Sequence, residues 1–334
     1  MKYRHLGASP LKISPLCLGT MMFADQTELG VAREIVAHAR EHGVNFIDTA
    51  DVYSIGQSES MVGELLKGQR DHWIVATKLG NRMSERPNES GYSRLWVQRA
   101  CDASLKRLAI DCIDIYYMHR DFNDMPLDEP LRAIDDLLHA GKIRYWGLSN
   151  FRGWRIAEVV HAARAINMPA PVVCQPYYNL LNRQPEIEVL PACAHHGLGV
   201  VPYSPIARGV LSGKYAPGAK PGQDTRAGRG DKRIMETEFR EESLRAAQTL
   251  KAHCDRRGVS LTHFATAWVL AHQAVSAVIA GPRTLQQWQD YLGALECTID
   301  TEDEALVDSL VKPGHPSTPG YNDPAYPLPV RCAP

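Results

Sequence analysis

Short apolar runs alternate with longer amphipathic stretches along almost the whole chain. Residues 2–13 read as a polar hairpin turning at Gly7-Ala8-Ser9-Pro10. After it come eight runs with the length and branched or aromatic content of buried strands: 16–20, 44–47, 73–78, 113–118, 143–148, 172–175, 198–203 and 277–280. The stretches between carry apolar residues at helical spacing, over 27–42, 58–66, 95–108, 127–140, 154–166 and 187–195. The first of these turns Val31, Ile35 and Val36 inward and ends at Gly43. Helices over 242–256 and 261–272 precede the eighth strand, and a last one begins near Thr284.

A strand followed by a helix eight times over predicts an α/β fold of the (β/α)₈ barrel type, one domain over 1–334. A doubly wound open sheet is the alternative. The chain has no Gly-x-Gly-x-x-Gly after its first strand, which removes that fold's nucleotide signature. Two segments depart from the alternation. Residues 204–240 form a Gly-, Pro-, Lys- and Arg-rich insertion after strand seven, too long for a plain connection and so read as functional. The tail over 312–334 is Pro-rich and non-helical.

In a barrel the active site is built at the carboxyl ends of the strands. There the sequence places Asp48 after strand two, Lys78 at the end of three and His119 after four. Ser149 and Asn150 follow strand five, Gln175 ends six and Tyr203 ends seven. A single Asp in such a place reads first as a cap or loop residue. Helix caps, however, would not put a lysine and a histidine at strand ends. A tyrosine hydroxyl, with a pKa of about 10, is a poor proton donor near neutrality. A lysine ammonium beside it stabilises the phenolate, and a carboxylate keeps that lysine charged. Tyr53, Lys78 and Asp48 thus make a self-consistent tuned acid, and His119 can orient the same substrate oxygen.

With these residues on the page, the chain resembles the aldo-keto reductases over nearly its full length. The resemblance is carried by Gly43-Val44-Asn45-Phe46-Ile47-Asp48-Thr49-Ala50-Asp51-Val52-Tyr53, Ala76-Thr77-Lys78, His119, Gly147-Leu148-Ser149-Asn150-Phe151, Gln175-Pro176-Tyr177-Tyr178-Asn179 and Gly281-Pro282-Arg283-Thr284. It implies an oxidoreductase whose catalytic residues are Asp48, Tyr53, Lys78 and His119. The implied reaction is reversible hydride transfer between NADPH and an aldehyde or ketone, without a metal.

The same resemblance implies a cofactor lying extended across the barrel mouth. Thr20 and Met21 would face it, with Asp48 beneath. Ser149, Asn150 and Gln175 would hold the nicotinamide amide, and Tyr203 would stack on the ring. Ser204, Pro205, Ile206, Ala207, Arg208 and Gly209, with Lys214 and more remotely Arg226, resemble the pyrophosphate loop. Gly281 and the helix start after it suit a phosphate, and Arg283 would pair with a ribose 2′-phosphate, a reason to expect NADP(H) over NAD(H). Gln287 and Asp290 would face the adenosine. Tyr291 stands where many relatives have Asn, so NAD(H) stays open as a cofactor.

The resemblance further implies a small-molecule carbonyl substrate. Met22, Phe23, Asn81, Arg82, Arg120 and Tyr178 are candidate lining residues, the two arginines hinting at a polar or anionic substrate.

Composition narrows the partners. A formal net charge of −1 over 334 residues gives no reason to expect nucleic acid or an acidic membrane surface. The N-terminal Met1-Lys2-Tyr3-Arg4-His5-Leu6 has no apolar core of a signal peptide, and eight cysteines without a Cys-x-x-Cys pair suit reduced thiols. A cytoplasmic location is expected. His38-Ala39-Arg40-Glu41-His42 matches a zinc-protease pattern but sits at a helix end, away from the strand mouths. Trp96, Trp154, Trp268 and Trp288 read as helix packing residues.

Two rivals are kept. A cofactor-binding sensor or interaction subunit of the same fold would bind nucleotide with little turnover, as the potassium-channel β subunits that resemble this family do. A metal-dependent hydrolase would need more His and carboxylate ligands than Asp48 and His119 supply.

Overall fold

The computed structural model describes residues 1–122 and 125–327. These form two compact units. The first comprises residues 1–176, 188–203 and 272–292, the second residues 177–187, 204–271 and 293–334.

The first unit opens with the hairpin β1 (Arg4–His5) and β2 (Lys12–Ile13), followed by β3 (Leu16–Gly19). Helix and strand then alternate: α1 (Leu29–Glu41), β4 (Phe46–Asp48), α2 (Gln57–Leu66), β5 (Ile74–Leu79), α3 (Arg94–Leu108), β6 (Ile113–Met118) and α4 (Asp128–His139). They continue with β7 (Ile143–Ser149), α5 (Gly153–Ala165), β8 (Val173–Gln175), α6 (Val189–His196) and β9 (Gly199–Val200). Between β9 and the last strand lie α7 (Lys232–Thr237), α8 (Glu241–Arg257) and α9 (Leu261–Ala271), all in the second unit. Then come β10 (Val278–Ala280), α10 (Leu285–Gly293) and α11 (Thr301–Leu310).

Strands β3 to β9 pair in sequence order and β10 pairs with β3, every pairing parallel. The gap between β9 and β10 is bridged by Ile279 N–H donating to Pro202 O at 3.0 Å and by a parallel bridge between Val200 and Val275. This is the expected (β/α)₈ barrel. Its interior is filled by Cys17, Phe46, Ala76, Ile115, Tyr117, Val173, Val201, Ala277 and Ile279, contributed at period two by successive strands.

Leu6 and Ile13 of the hairpin join this cluster and plug the end where the strands begin. Gly7 is required there. Its φ is +58°, and a Cβ on it would stand 2.2 Å from the Gly199 amide at the start of β9.

Several expectations are adjusted. Strand β4 is shifted toward its carboxyl end, so Asp48 is its last residue rather than the residue after it. β9 is only two residues long, although Val201 and Tyr203 still donate to Cys174 O and Pro176 O, and Pro202 between them has no N–H to give. On α1 the buried face is Ala32, Ile35, Val36 and Ala39, while Val31 is half-buried. Trp268 and Trp288 are packed as expected, but Trp154 at the start of α5 is 47% exposed.

In the second unit, α8 and α9 pack on one another and on the turn Ala207–Ser212, burying Leu211, Leu244, Leu250 and Phe264. Helix α11 is not evident from the hydrophobic pattern. It starts at a capping box, Asp300 accepting from Glu302 and Asp303 N–H while Asp303 accepts from Asp300 N–H. The tail beyond it is tied down within this unit. Ser317 N–H donates to Leu181 O, Arg183 N–H to His315 O, and Arg233 makes two hydrogen bonds to Asp323 at 3.0 and 2.6 Å. The end of the Pro-rich tail, beyond 327, lies outside the described residues. Among the described residues no helix is long and apolar enough to cross a membrane.

Candidate active site

Lys78 ends the inward-facing row of β5 and is wholly buried. A buried ammonium needs its three N–H groups satisfied, and all three are. Lys78 Nζ donates to Asp48 Oδ1, to Thr49 O at 2.7 Å and to Tyr53 Oη at 3.3 Å. Asp48 is equally buried, and its second oxygen accepts from Gln175 Nε2 at 2.9 Å.

Burial works against the charge on Lys78, but Asp48 and Tyr53 outweigh it and hold the ammonium above its ordinary value. The Asp48 carboxyl is pushed up by burial, an effect that Lys78 and Gln175 only partly offset. With an ammonium and an amide N–H both in contact with it, the ion pair is the form that the geometry favours.

Tyr53 is half-buried, so its hydroxyl rests on Lys78 while the ring stays in reach of a ligand. His119 lies 6.0 Å away between ring centroids, edge-on at 81°. Burial, then the charges of Lys78 and Arg120, hold its imidazole well below the ordinary value, so it is neutral at physiological pH. The four residues of the expected tetrad are therefore gathered at the carboxyl ends of neighbouring strands.

What fixes Tyr53 was not legible in the sequence. The three residues after it, Ser54, Ile55 and Gly56, have φ of 47°, 48° and 84°. Glycine adopts this region freely, whereas for Ser54 and the β-branched Ile55 it is strained. The turn is closed by Ser58, at the start of α2. Its hydroxyl donates to Thr20 O at 2.9 Å and lies 3.0 Å from both Thr20 Oγ1 and Thr49 Oγ1. Thr49, whose carbonyl receives Lys78, is thus held by α2 through Ser58 and by β5 through its N–H to Ala76 O at 2.9 Å.

The residues expected at the nicotinamide form one chain of hydrogen bonds. Ser149 Oγ donates to Gln175 O at 2.9 Å, and Asn150 Nδ2 to His119 O at 2.9 Å and to Ser149 Oγ at 3.0 Å. Tyr203 Oη donates to Asn150 Oδ1 at 2.8 Å. Asn150 sits at φ +61°, a conformation Asn tolerates better than most. Thr20 is buried, with both its N–H and its hydroxyl donating to Asp48 O, and Met21 beside it is exposed.

Where the adenosine is expected, Gly281 is open to solvent. Arg283 N–H donates to Gln287 Oε1 at 2.9 Å, and Arg283 Nη1 to Gln26 Oε1 at 3.5 Å. Asp290 is exposed and accepts from Gln286, while Tyr291 is only 5% exposed, with little ring face to offer.

The expected pyrophosphate loop belongs to the second unit. Ala207, Arg208 and Gly209 have φ of 49°, 52° and 100°, and Ser204 has 59°. Successive residues of this kind turn backbone N–H groups to one side, the form of an anion nest. Lys214 Nζ lies beside Gly209, at 3.2 Å from where a Cβ would stand. Arg208 Nε donates to Thr237 Oγ1 at 3.1 Å, and Arg226 pairs with Asp231 at 2.9 Å. Ser204 O accepts from Asn179, Pro205 is buried and Ile206 half-buried.

The candidate substrate residues divide. Asn81 and Arg120 are half-buried, Arg120 lying 5.4 Å over the Phe122 ring, and Arg82 is exposed and paired with Glu85. Met22 is 8% exposed, and Phe23 and Tyr178 have no accessible surface, Tyr178 Oη donating to Glu186 Oε1 at 2.8 Å.

The family model described as the Aldo/keto reductase family matches residues 15–312. Over 303 residues, 89% of this chain and 92% of the relative, the sequence is 35% identical to a probable voltage-gated potassium channel subunit beta of Arabidopsis thaliana. Over 322 residues, 93% of this chain and 96% of the relative, it is 34% identical to an uncharacterized oxidoreductase, YrpG, of Bacillus subtilis (strain 168). The chain belongs to the aldo/keto reductase family, and the family together with the Bacillus relative supports an oxidoreductase.

Proposed function

We propose that this member of the aldo/keto reductase family reduces an aldehyde or ketone to the alcohol, with NADPH as the preferred cofactor and NADH as the alternative. The observation that carries the reading is the triple contact of Lys78 Nζ with Asp48, Thr49 O and Tyr53 Oη. It is an arrangement for a phenol that gives up its proton.

A nicotinamide cofactor, when bound, supplies the hydride. Every other part belongs to the chain. Tyr53 donates its Oη proton to the carbonyl oxygen, and the phenolate left behind is stabilised by the ammonium 3.3 Å away. Asp48 and Gln175 keep that ammonium charged and fixed. His119, being neutral, donates a hydrogen bond to the same oxygen without adding a second positive charge.

In the first unit Arg283, beyond Gly281, suits a phosphate and supports a phosphorylated dinucleotide. In the second unit the left-handed turn Ala207-Arg208-Gly209 with Lys214 has by itself the form of an anion nest. On this reading the whole chain serves one soluble, cytoplasmic enzyme with a small-molecule carbonyl substrate and no nucleic-acid or membrane partner.

A second reading has a specific observation behind it, the similarity to channel β subunits. The chain would then bind nucleotide as a sensor or partner subunit and turn over little. Fluorescence titration with NADPH and NADH, followed by a panel of reactive aldehydes, separates the two. Aldehyde-dependent NADPH oxidation that falls by about 10²–10⁴ in Tyr53→Phe, with nucleotide binding kept, supports the reductase. Tight binding without turnover supports the subunit, and no binding of either nucleotide rejects both.

A further inference from the structure

Asp51 stands between two members of the tetrad in the chain and plays no part in the mechanism above. It is 1% exposed, and among the described residues no side chain donates a hydrogen bond to either of its carboxyl oxygens. The groups around it are committed elsewhere. From α2, Glu59 accepts from Thr77 Oγ1 at 2.5 Å and from Arg107 Nε at 2.6 Å. Arg107, from α3, is spent on that contact, and Lys78, from β5, on Asp48, Thr49 and Tyr53. Tyr92 Oη, in the loop before α3, donates to Arg120 O at 2.7 Å. Tyr116 Oη, from β6, is buried without a partner.

An ionised Asp51 would be an unpaired anion in the protein interior next to a second carboxylate. Burial, and then the charge of Glu59, push its carboxyl up to about 8, against smaller pulls from Arg107, the Val52 amide and Lys78.

The backbone of Asp51 links this carboxyl to the catalytic tyrosine. Asp51 N–H donates to Lys78 O at 3.2 Å, Tyr53 N–H to Ala50 O at 3.2 Å and Ile55 N–H to Val52 O at 3.2 Å. These three bonds lead directly into the strained residues Ser54 and Ile55. A charge forced on Asp51 must draw it toward water or a donor, and the backbone that follows Asp51 in the chain is the turn that presents Tyr53.

We propose that Asp51 is a positioning residue that holds Tyr53 in place as a neutral carboxylic acid, and that its ionisation in alkali releases the turn. Only the kinetic arm of the test rests on the reductase reading.

The test compares wild type, Asp51→Asn and Glu59→Gln, each labelled with 3-fluorotyrosine. The Tyr53 resonance is assigned by its loss in Tyr53→Phe. In wild type it should shift with a midpoint near pH 8. In Asp51→Asn that transition should vanish, and the alkaline fall of kcat should move to higher pH while kcat at neutrality is kept. Glu59→Gln removes the anion that favours the neutral acid, so the midpoint should move to lower pH. This variant decides the matter even if Asp51→Asn fails to fold. The proposal is overturned if the Tyr53 transition is the same in all three proteins, or if Glu59→Gln moves the midpoint upward. Wild-type protein without turnover at any pH would reject the reductase reading, and the fluorine titration would still decide the role of Asp51.

Discussion

Gln175 Nε2 donates to Asp48 Oδ2 at 2.9 Å, so the carboxylate that holds Lys78 from β4 is itself held from β8, across the barrel interior. A hydrogen bond to a buried charged group contributes about 1.5–3 kcal/mol. Gln175→Leu should therefore lower kcat by roughly 10–100-fold through a less firmly held Lys78. Gln175→Glu, which sets a second carboxylate against Asp48, should lower it further. Single-turnover rates at saturating cofactor check both.

The Lys78–Asp48 pair is buried on both sides, with side-chain exposures of 0% and 2%. Removing one partner leaves an uncompensated interior charge, which costs about 3–5 kcal/mol. Lys78→Met should destabilise the protein by that order and abolish turnover. The double variant Lys78→Met with Asp48→Asn should recover much of the stability and none of the activity. Urea denaturation of the two proteins measures the difference.

His119 is neutral in the folded chain and protonates at its ordinary value once unfolded. Between those two values the unfolded state binds more protons, so stability rises with pH there. The contribution is complete above the ordinary value and is lost as pH falls below it. His119→Gln should flatten the acid side of the stability curve, as thermal melts from pH 5 to 8 would show. In wild type, the His119 ring resonances should show no titration step near neutrality.

Ile55 holds φ 48° and ψ 53° while 62% exposed, so no packing offsets its conformation. A left-handed residue with a Cβ costs roughly 1–2 kcal/mol, and glycine loses about 0.5–1 kcal/mol of that gain in chain entropy. Ile55→Gly should stabilise the fold by a few tenths to about 1 kcal/mol, read as a rise in the denaturation midpoint. A freer Tyr53 should lower kcat in the same variant.

Asp48, Lys78 and His119 were legible because strand periodicity places them at one end of a barrel, and a lysine and a histidine there are of a kind that caps and packing do not call for. The role of Gln175 was only half legible. Which acceptor its N–H finds depends on a distance between β4 and β8, and nothing local records it. The turns at 54–56 and 207–209 were hidden for a different reason. Serine, isoleucine, alanine and arginine do not advertise left-handed backbone, so only the glycine in each gave a hint. Helix α11 could have been read from Asp300-x-x-Asp303, a local capping signal that its short and weakly patterned helix did not reinforce.

The strand that starts the barrel waits longest for its neighbour. β3 pairs on one side with β10, Leu16 opposite Val278, so one edge of it stays unpaired until the last strand has been synthesised. At about 5–20 residues per second a ribosome needs many seconds to supply it. During that time an apolar strand edge, Leu16-Cys17-Leu18, is open to any other nascent chain. Yield in the cell should thus depend on chaperone supply and growth temperature more than on the stability of the finished protein.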